Sequence, residues 1–546
     1  MKASDLFLRC LEAEGVDTIF GVPGEENADI MISLLTSNIK FITCRHEQTA
    51  SFLADMHGRL TGKPGVCLAT LGPGATNLLT GVANANMDHS PLIAIIGQAS
   101  THRLHKESHQ NMDSITMYQP VSKWTTTIRE PDIIPEVIRK AFKLATANKP
   151  GAVVIELPED IAKTEAPTKP LPLPNKSAQN IEMHEVQAAL ALLSQSKYPL
   201  LLVGNGCVRE ECDDEITTFV DQTGAYAANT FMGKGTISAD HPQSLHCVGL
   251  GMKDIALEAF DRADLIICAG YDLVEWAPER WNPNCDKTII HIDTLPAEVD
   301  QHYTTNLELV GDIKKIFALI NEHCKIDFQR DIPEFKAIRS RMLEDLSTSC
   351  DSDHFPMKPQ RILRDLRSAL SGKDILISDV GAHKMWVARQ YPTYQSKTCF
   401  IFNGFCSMGG AMPGAIAAKM LNPDQHVVAL CGDGGFMMSI QALATAVKCK
   451  IPITVLLWED NHYGLIQWKQ DITFHKESHT ALHNPDLAKL AEAFGCYAIS
   501  IKTSSELTPA LEQASQNKEK PTVIIVPVDY SENMKLTKHL GDIVAK

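Results

Sequence analysis

Gly432-Asp433-Gly434-Gly435, a helical stretch, the apolar run Ile453-Thr454-Val455-Leu456-Leu457-Trp458, and then Glu459-Asp460-Asn461-His462 are the residues whose reading decides the fold of this chain. They read as a strand end, a glycine turn, a crossover helix and a second strand. Asp433 and Asp460 then fall at the carboxyl ends of neighbouring parallel strands, where open α/β sheets bind phosphate ligands. Two carboxylates alone would repel a diphosphate. Beside the N–H groups of a glycine turn, they suit a hard divalent cation that carries one. A lone Gly-Asp-Gly is commonly just a turn, so the second acid some two dozen residues on gives the stretch its meaning.

Working outward, short apolar runs alternate with amphipathic segments along the whole chain, the pattern of βα units and parallel sheets with both faces buried. The first part reads as strands over Asp17 to Val22, Lys40 to Cys44, Gly65 to Leu71 and Pro91 to Gly97. A Pro-rich linker, Thr164 to Pro174, closes it. Strands over Tyr198 to Gly206, Ala263 to Gly270 and Lys287 to Ile292 mark a second part, which fades in the polar stretch from Lys325 to Pro359. The third resumes at Asp374 to Asp379 and ends with Thr522 to Val528. The expected fold class is α/β, three doubly wound parallel-sheet domains. Leu11-Glu12-Ala13-Glu14-Gly15 echoes Leu490-Ala491-Glu492-Ala493-Phe494-Gly495, a hint that the first and third parts are alike.

Composition narrows the function classes. A chain of 546 residues exceeds one core and implies about three domains. A net charge of -15 argues against nucleic acid and anionic membrane as partners, since both favour basic surfaces. Fifteen cysteines without a Cys-x-x-Cys pair, some inside apolar runs such as Ile266-Ile267-Cys268, read as buried thiols in a reducing compartment. The amino terminus lacks a signal-peptide core and no apolar run reaches bilayer length, so a cytoplasmic location is expected. His102, His105 and His109 have helical spacing but no completing ligands, and read as a solvated face. Gly204-Asn205-Gly206 and Gly249-Leu250-Gly251 lack the third glycine of a dinucleotide fingerprint and read as turns.

The spacing from Gly432 to Asn461 resembles the motif of thiamine diphosphate enzymes. That resemblance implies that Asp433, Asp460 and the backbone carbonyl of His462 hold Mg2+, which clamps the cofactor's diphosphate; Asp460 stands where Asn is commoner. It also implies a carboxylic acid for the aminopyrimidine end. Glu47 fits, because Lys40 to Cys44 reads as a strand and Arg45-His46-Glu47-Gln48 opens a helix after it. At that junction Glu47 is partly desolvated and suited to exchange a proton. Read without the resemblance, it is a helix-opening acid favoured by the helix dipole. Gly21-Val22-Pro23-Gly24 and Gly72-Pro73-Gly74-Ala75-Thr76-Asn77 resemble the family's pyrimidine-side loops, and Met408 matches its wedge that bends the cofactor.

Over nearly the full length the chain is similar to the acetolactate synthase branch, especially its catabolic, flavin-free type. Segments carrying that likeness include Arg45-His46-Glu47, Ser108 to Asp113, Gln119 to Trp124, Gly270 to Trp276, Asp379-Val380-Gly381-Ala382-His383 and Val526 to Tyr530. The implied layout is a pyrimidine-binding domain over 1–165, a central domain over 185–325, a diphosphate-binding domain over 358–530 and a tail over 531–546. The tail either covers the active site or stands as an exposed helix. The implied catalytic residues are Glu47, Gln110 near the reacting carbon, and Lys123 in the substrate region. The implied cofactor contacts are Pro23, Glu47, Pro73, Asn77, Gly381, His383, Cys406, Met408, Asp433, Gly434, Gly435, Tyr463, Gly464 and Leu465. Flavin-binding relatives carry Asp-Asp-Arg where Asp272-Leu273-Val274-Glu275 stands here, so FAD is not expected.

The activity this implies is an acetolactate synthase-like carboligase, joining the two-carbon unit of one pyruvate to a second to give 2-acetolactate and CO2. The cofactor takes up the electron pair while the protein orients it. A homodimer, commonly a dimer of dimers, is implied, with each active site between subunits. One departure bears on the acceptor: the family's Met followed by Gln or Trp on the helix after Asp460 is replaced by Leu465 and Lys469. The alternatives are a decarboxylase or carboligase acting on another 2-keto or acyl donor, and an FAD-containing large subunit of the biosynthetic type. A silent binding paralogue would be expected to lose Glu47, Asp433 or Asp460, and all three are present.

Overall fold

The computed structural model describes residues 1–173, 181–249, 255–324, 330–533 and 536. It contains three six-stranded sheets in which every strand pair is parallel. The first has β1 (Thr18–Gly21), β2 (Lys40–Thr43), β3 (Gly65–Ala69), β4 (Leu92–Gln98), β5 (Trp124–Thr127) and β6 (Ala152–Pro158), in the order β2-β1-β3-β4-β6-β5. The central sheet has β7 (Pro199–Val203), β8 (Tyr226–Asn229), β9 (Ser244–Cys247), β10 (Leu265–Ala269), β11 (Thr288–Asp293) and β12 (Leu307–Val310), ordered β12-β11-β10-β7-β8-β9. The third has β13 (Ile375–Ser378), β14 (Cys399–Ile401), β15 (Val427–Gly432), β16 (Thr454–Glu459), β17 (Tyr497–Ser500) and β18 (Thr522–Pro527), ordered β14-β13-β15-β16-β18-β17.

The α/β expectation therefore holds in all three parts, and helices cover the sheets as parallel strands require. Interior strands β3, β4 and β6 are buried along their whole length. The expectation that every strand of the first part is buried on both faces fails at β2, which exposes Lys40 and half-exposes Phe41 and Thr43, because it is an edge strand. Edge strands β5 and β17 are likewise only partly buried. The polar stretch from Lys325 to Pro359 also departs from its reading. It contains the helix Pro333–Ser347, whose Phe335, Ile338 and Met342 form a narrow apolar stripe packed into the central core. Of the Pro-rich linker, residues 166–173 carry neither helix nor strand, and Pro174 lies outside the described residues.

The first and third sheets share one strand order, so the two parts are alike. The sequence echo is not the reason: Leu11 to Gly15 precedes the first strand of its sheet and Leu490 to Gly495 the fifth strand of the other. The two parts are joined by a common apolar core through the helices Glu47–Thr61 and Ala411–Leu421. Phe52 is fully buried there, edge-on to Phe402 with ring centroids 5.9 Å apart. At the rim, Arg59 pairs with Asp55 at 2.8 Å and Asp88 at 2.5 Å and lies 4.7 Å from the centre of the Phe402 ring. Phe52→Ala is expected to destabilise this joint by about 3–5 kcal/mol, read as a lower urea midpoint. An unchanged midpoint would show that the joint does not limit stability.

Candidate active site

Each group of expected site residues sits where its strand ends. In the first sheet, Pro23 follows β1, Glu47 follows β2 and Pro73 follows β3, three adjacent parallel strands. His46 caps the Glu47 helix by accepting from the Gln48 N–H at 3.1 Å, which fixes the helix start one residue before the acid. Glu47 is half-buried, and its Oε2 accepts a hydrogen bond from Asn77 Nδ2 at 2.9 Å, on the helix Pro73–Met87. Gly72 turns into that helix with φ +53°, and a Cβ there would meet the Gln110 carbonyl at 2.8 Å. Gln110 is thus held against the turn that carries Pro73 and Asn77. Pro23, Pro73 and Gln110 are exposed.

Lys123 does not join this group through its amine. It immediately precedes β5, and Nζ donates to the carbonyls of Ala147 at 2.7 Å and Lys149 at 2.9 Å. Burial lowers its pKa.

The third sheet repeats the arrangement over four adjacent strands. Gly381 and His383 follow β13, Cys406 and Met408 follow β14, Asp433 follows β15 and Asp460 follows β16. These residues, with Gly434, Gly435, His462, Tyr463, Gly464 and Leu465, line one cavity of about 220 Å³. β15 and β16 are paired in parallel register, Gly432 beside Trp458, which brings the two acids together. The crossover between them is two short helices, Asp433–Met438 and Ala442–Lys448, in place of the single helix expected.

Asp433 is 1% exposed and accepts from the Gly434 N–H at 2.9 Å, the Asn461 N–H at 2.7 Å and Asn484 Nδ2 at 2.7 Å. Burial and the adjacent Asp433 carboxylate push Asp460 up to about 7. Two acids facing one another in a desolvated pocket are the electrostatic situation that a divalent cation reverses. Among the described residues no three His, Cys, Asp or Glu side chains converge, so a cation here would complete its shell with carbonyl, water or phosphate oxygens, as Mg2+ does. His462 donates its N–H to Asp460 Oδ1 at 3.2 Å, and its Nδ1 lies 2.8 Å from the Asp460 carbonyl oxygen.

The cavity also holds an unsatisfied ring nitrogen. His383 is 3% exposed, its Nε2 has no hydrogen-bond partner, and burial holds it down to about 3, so its ring is neutral. The floor admits no extra atoms: a Cβ on Gly464 would lie 2.3 Å from Asp460 Oδ2, and one on Gly434 would lie 2.9 Å from the Tyr463 ring. Met408 also reaches Gly434. Cys406 adopts φ +56°, and its Sγ accepts from the buried Lys384 amine at 3.1 Å. Leu465 is half-buried in the lining, whereas Lys469 is exposed.

Two supporting residues escaped the sequence. Asp379 is fully buried, and its carboxylate accepts from the N–H groups of Gly409 at 2.9 Å and Gly410 at 3.3 Å, holding the turn that carries Met408. Burial pushes it up to about 6. It stood inside a recognisable motif, but nothing local announced its partner. Asn484, 51 residues beyond Asp433, left no local signal at all. Of the tail 531–546, residues 534–535 and 537–546 lie outside the described residues, and the expected cover over the site lies there with them.

Residues 1–117 match the thiamine pyrophosphate enzyme N-terminal TPP binding domain, 186–320 the central domain and 379–526 the C-terminal TPP binding domain. The chain is 33% identical to an acetolactate synthase of Bacillus subtilis, covering 100% of this chain and 97% of the relative. It is 32% identical to a catabolic acetolactate synthase of Raoultella terrigena, covering 98% and 97%. With an acetolactate synthase large subunit of Corynebacterium glutamicum it shares 31% identity, covering 96% and 86%.

Proposed function

The chain belongs to the thiamine pyrophosphate enzymes, in their acetolactate synthase family, and on that premise we propose that it condenses two molecules of pyruvate into 2-acetolactate and CO2. The observation that carries this reading is the meeting of Asp433 and Asp460 in one cavity with the idle Nε2 of His383 and the glycine floor. In it, Asp433, Asp460 and the His462 carbonyl would hold Mg2+, and the Gly434 turn, with His383 beside it, would receive the diphosphate. Met408 and Tyr463, which line the same cavity, would stand beside the thiazolium. When bound, the cofactor supplies the electron sink that decarboxylation of a 2-keto acid requires.

Glu47 handles the proton at the other end. Asn77 engages Oε2, so Oε1 would be the oxygen that exchanges a proton with the aminopyrimidine. Gln110, exposed on the neighbouring turn, is assigned to the substrate side. The anchoring of the Lys123 amine on two carbonyls supports a positioning part for that residue, acting through the Ala147 to Lys149 loop.

Among the described residues, no first-sheet residue lines the third-sheet cavity. Both ends of one cofactor are served if a second copy brings its Glu47 to this cavity, so the active form is at least a homodimer. Ile466 in the lining is exposed, as are Phe405, next to Cys406, and Met437 and Met438 on the helix that Asp433 opens, and these side chains suit such a contact.

The central sheet bears on flavin. Its strands take the order of dinucleotide-binding folds. At the first turn, where a pyrophosphate would meet the backbone, Glu275 accepts the Asn205 N–H at 3.0 and 3.1 Å and the Thr230 hydroxyl at 2.5 Å. Burial and Asp272 push Glu275 up to about 8. A resident acid in that position supports a flavin-free enzyme of the catabolic type.

The test is direct. Protein loaded with Mg2+ and thiamine diphosphate should turn pyruvate into acetolactate, scored as acetoin after acid treatment. No product would remove the proposal. Product from another 2-keto acid alone would transfer it to that donor, and Leu465 in the lining is the residue to examine first.

A further inference from the structure

Away from the catalytic cavity, arginines gather at a place the reaction does not use. A second cavity of about 440 Å³ opens where the central sheet, the helix Pro333–Ser347 and the helices of the third sheet meet. Arg339, Arg364, Arg367 and Arg389 line it with His246 and Tyr394, and Asp240 is the one acid among its described lining residues. In a chain of net charge -15 such a wall is a local inversion of sign.

Two of these arginines have carboxylate partners: Arg364 pairs with Asp365 at 2.8 Å and with Asp351, and Arg389 with Asp345 at 2.6 Å. The other two bond only neutral groups. Arg339 donates to the carbonyls of Ser244 at 2.5 Å and Ala239 at 3.2 Å and to His246 Nε2 at 3.2 Å. Arg367 donates to the carbonyls of Leu370 at 2.8 Å and of Ser371.

Arg367 is 9% exposed, yet its Nη1 has no hydrogen-bond partner. Its guanidinium lies 4.9 Å from the centre of the Tyr391 ring and 5.3 Å from that of Tyr394. A buried cation with an idle donor is costly unless something meets it. His246 accepts from Arg339 and is therefore neutral; burial together with Arg339, Lys234 and Arg389 holds it down to about 3, which registers the positive potential of the cavity.

We propose that this cavity binds the phosphate group of a small metabolite, with Arg339 and Arg367 meeting the phosphate oxygens and Tyr394 presenting its ring to the remainder of the ligand. Guanidinium forks match phosphate geometry and remain charged when buried. The helix Ala382–Gln390 starts in the catalytic cavity beside His383 and ends here at Arg389 and Gln390, so the two cavities lie at opposite ends of one rigid element.

The experiment uses enzyme saturated with cofactor and Mg2+, so that the catalytic phosphate subsite is filled. Calorimetric titration with inorganic phosphate, and separately with AMP, is expected to show one saturable site per chain. Arg367→Met and Arg339→Met should each weaken it at least about tenfold, the scale of one charge-assisted contact. Tighter binding of AMP identifies a phosphate ester as the ligand class; equal affinity identifies free phosphate. In the unsubstituted protein, phosphate should protect Arg339 from phenylglyoxal, mapped by peptide mass, a readout independent of how the variants fold. Absence of saturable binding, variants that bind as the parent does, or modification unaffected by phosphate would each overturn the proposal.

Discussion

Glu47→Gln, loaded with thiamine diphosphate and Mg2+, is expected to form product at least about 10²-fold more slowly than the parent chain, the scale of a lost acid–base group. The substitution keeps the size of the side chain and still offers Asn77 an acceptor, so the hydrogen bond between the helices Glu47–Thr61 and Pro73–Met87 survives. What it removes is a group able to give and take a proton beside the aminopyrimidine. Cofactor retention should change only modestly, because the diphosphate is held on the third sheet, where nothing has altered. Stopped-flow or steady-state assay of acetolactate reads the rate, and gel filtration followed by cofactor analysis reads retention. A full rate in this variant would defeat the role assigned to Glu47 without touching the metal site.

The second large effect is expected at the opposite end. Asp433→Ala should lower Mg2+-dependent cofactor affinity by about 10²-fold or more, beyond the 10–100-fold typical of outer-shell partners of a metal. Asp433 receives the Gly434 and Asn461 N–H groups and Asn484, so its loss frees three donors as well as removing a charge. Titration of the protein with Mg2+ at fixed thiamine diphosphate measures it, and a chelator should strip cofactor from the parent far more slowly than from the variant.

Because the proposed dimer draws Glu47 and Asp433 of each active site from different chains, mixing the two inactive variants also tests the assembly. A hybrid dimer carries one cavity with both defects and one with neither. Random exchange should restore about a quarter of the parent activity. No recovery from a demonstrated hybrid would show that each chain builds its site alone.

How much of this was legible beforehand depended on whether the signal was local. β15, the Asp433 turn and β16 form a contiguous βα unit, so the apolar run and the glycine turn announce both the strands and the strand ends. The same holds for β2 and Glu47. Strands β5 and β9 were not legible, because these edge strands carry polar residues and show no apolar run. β6 was missed despite lying inside its sheet. Its run is interrupted by Glu156, which is buried only because Gln98, Ser114 and Thr127 all donate to it. The helix Pro333–Ser347 hid for the opposite reason, with three apolar positions serving a core that the rest of the chain supplies.

The sequence by itself determined the alternation of strands and helices, the identity of the acids and glycines, and their positions at strand ends, since each of these follows from residue type and short spacing. Tertiary structure decided the rest: that four separate strand ends close one cavity, that Asn484 and Asp379 support it, that Glu275 fills the first turn of the central sheet, and that two sheets share one order. The physical reason is range. Periodicity and turn chemistry act over a few residues, whereas which buried polar group meets which partner is fixed only when sheets pack and every desolvated donor and charge must find an opposite.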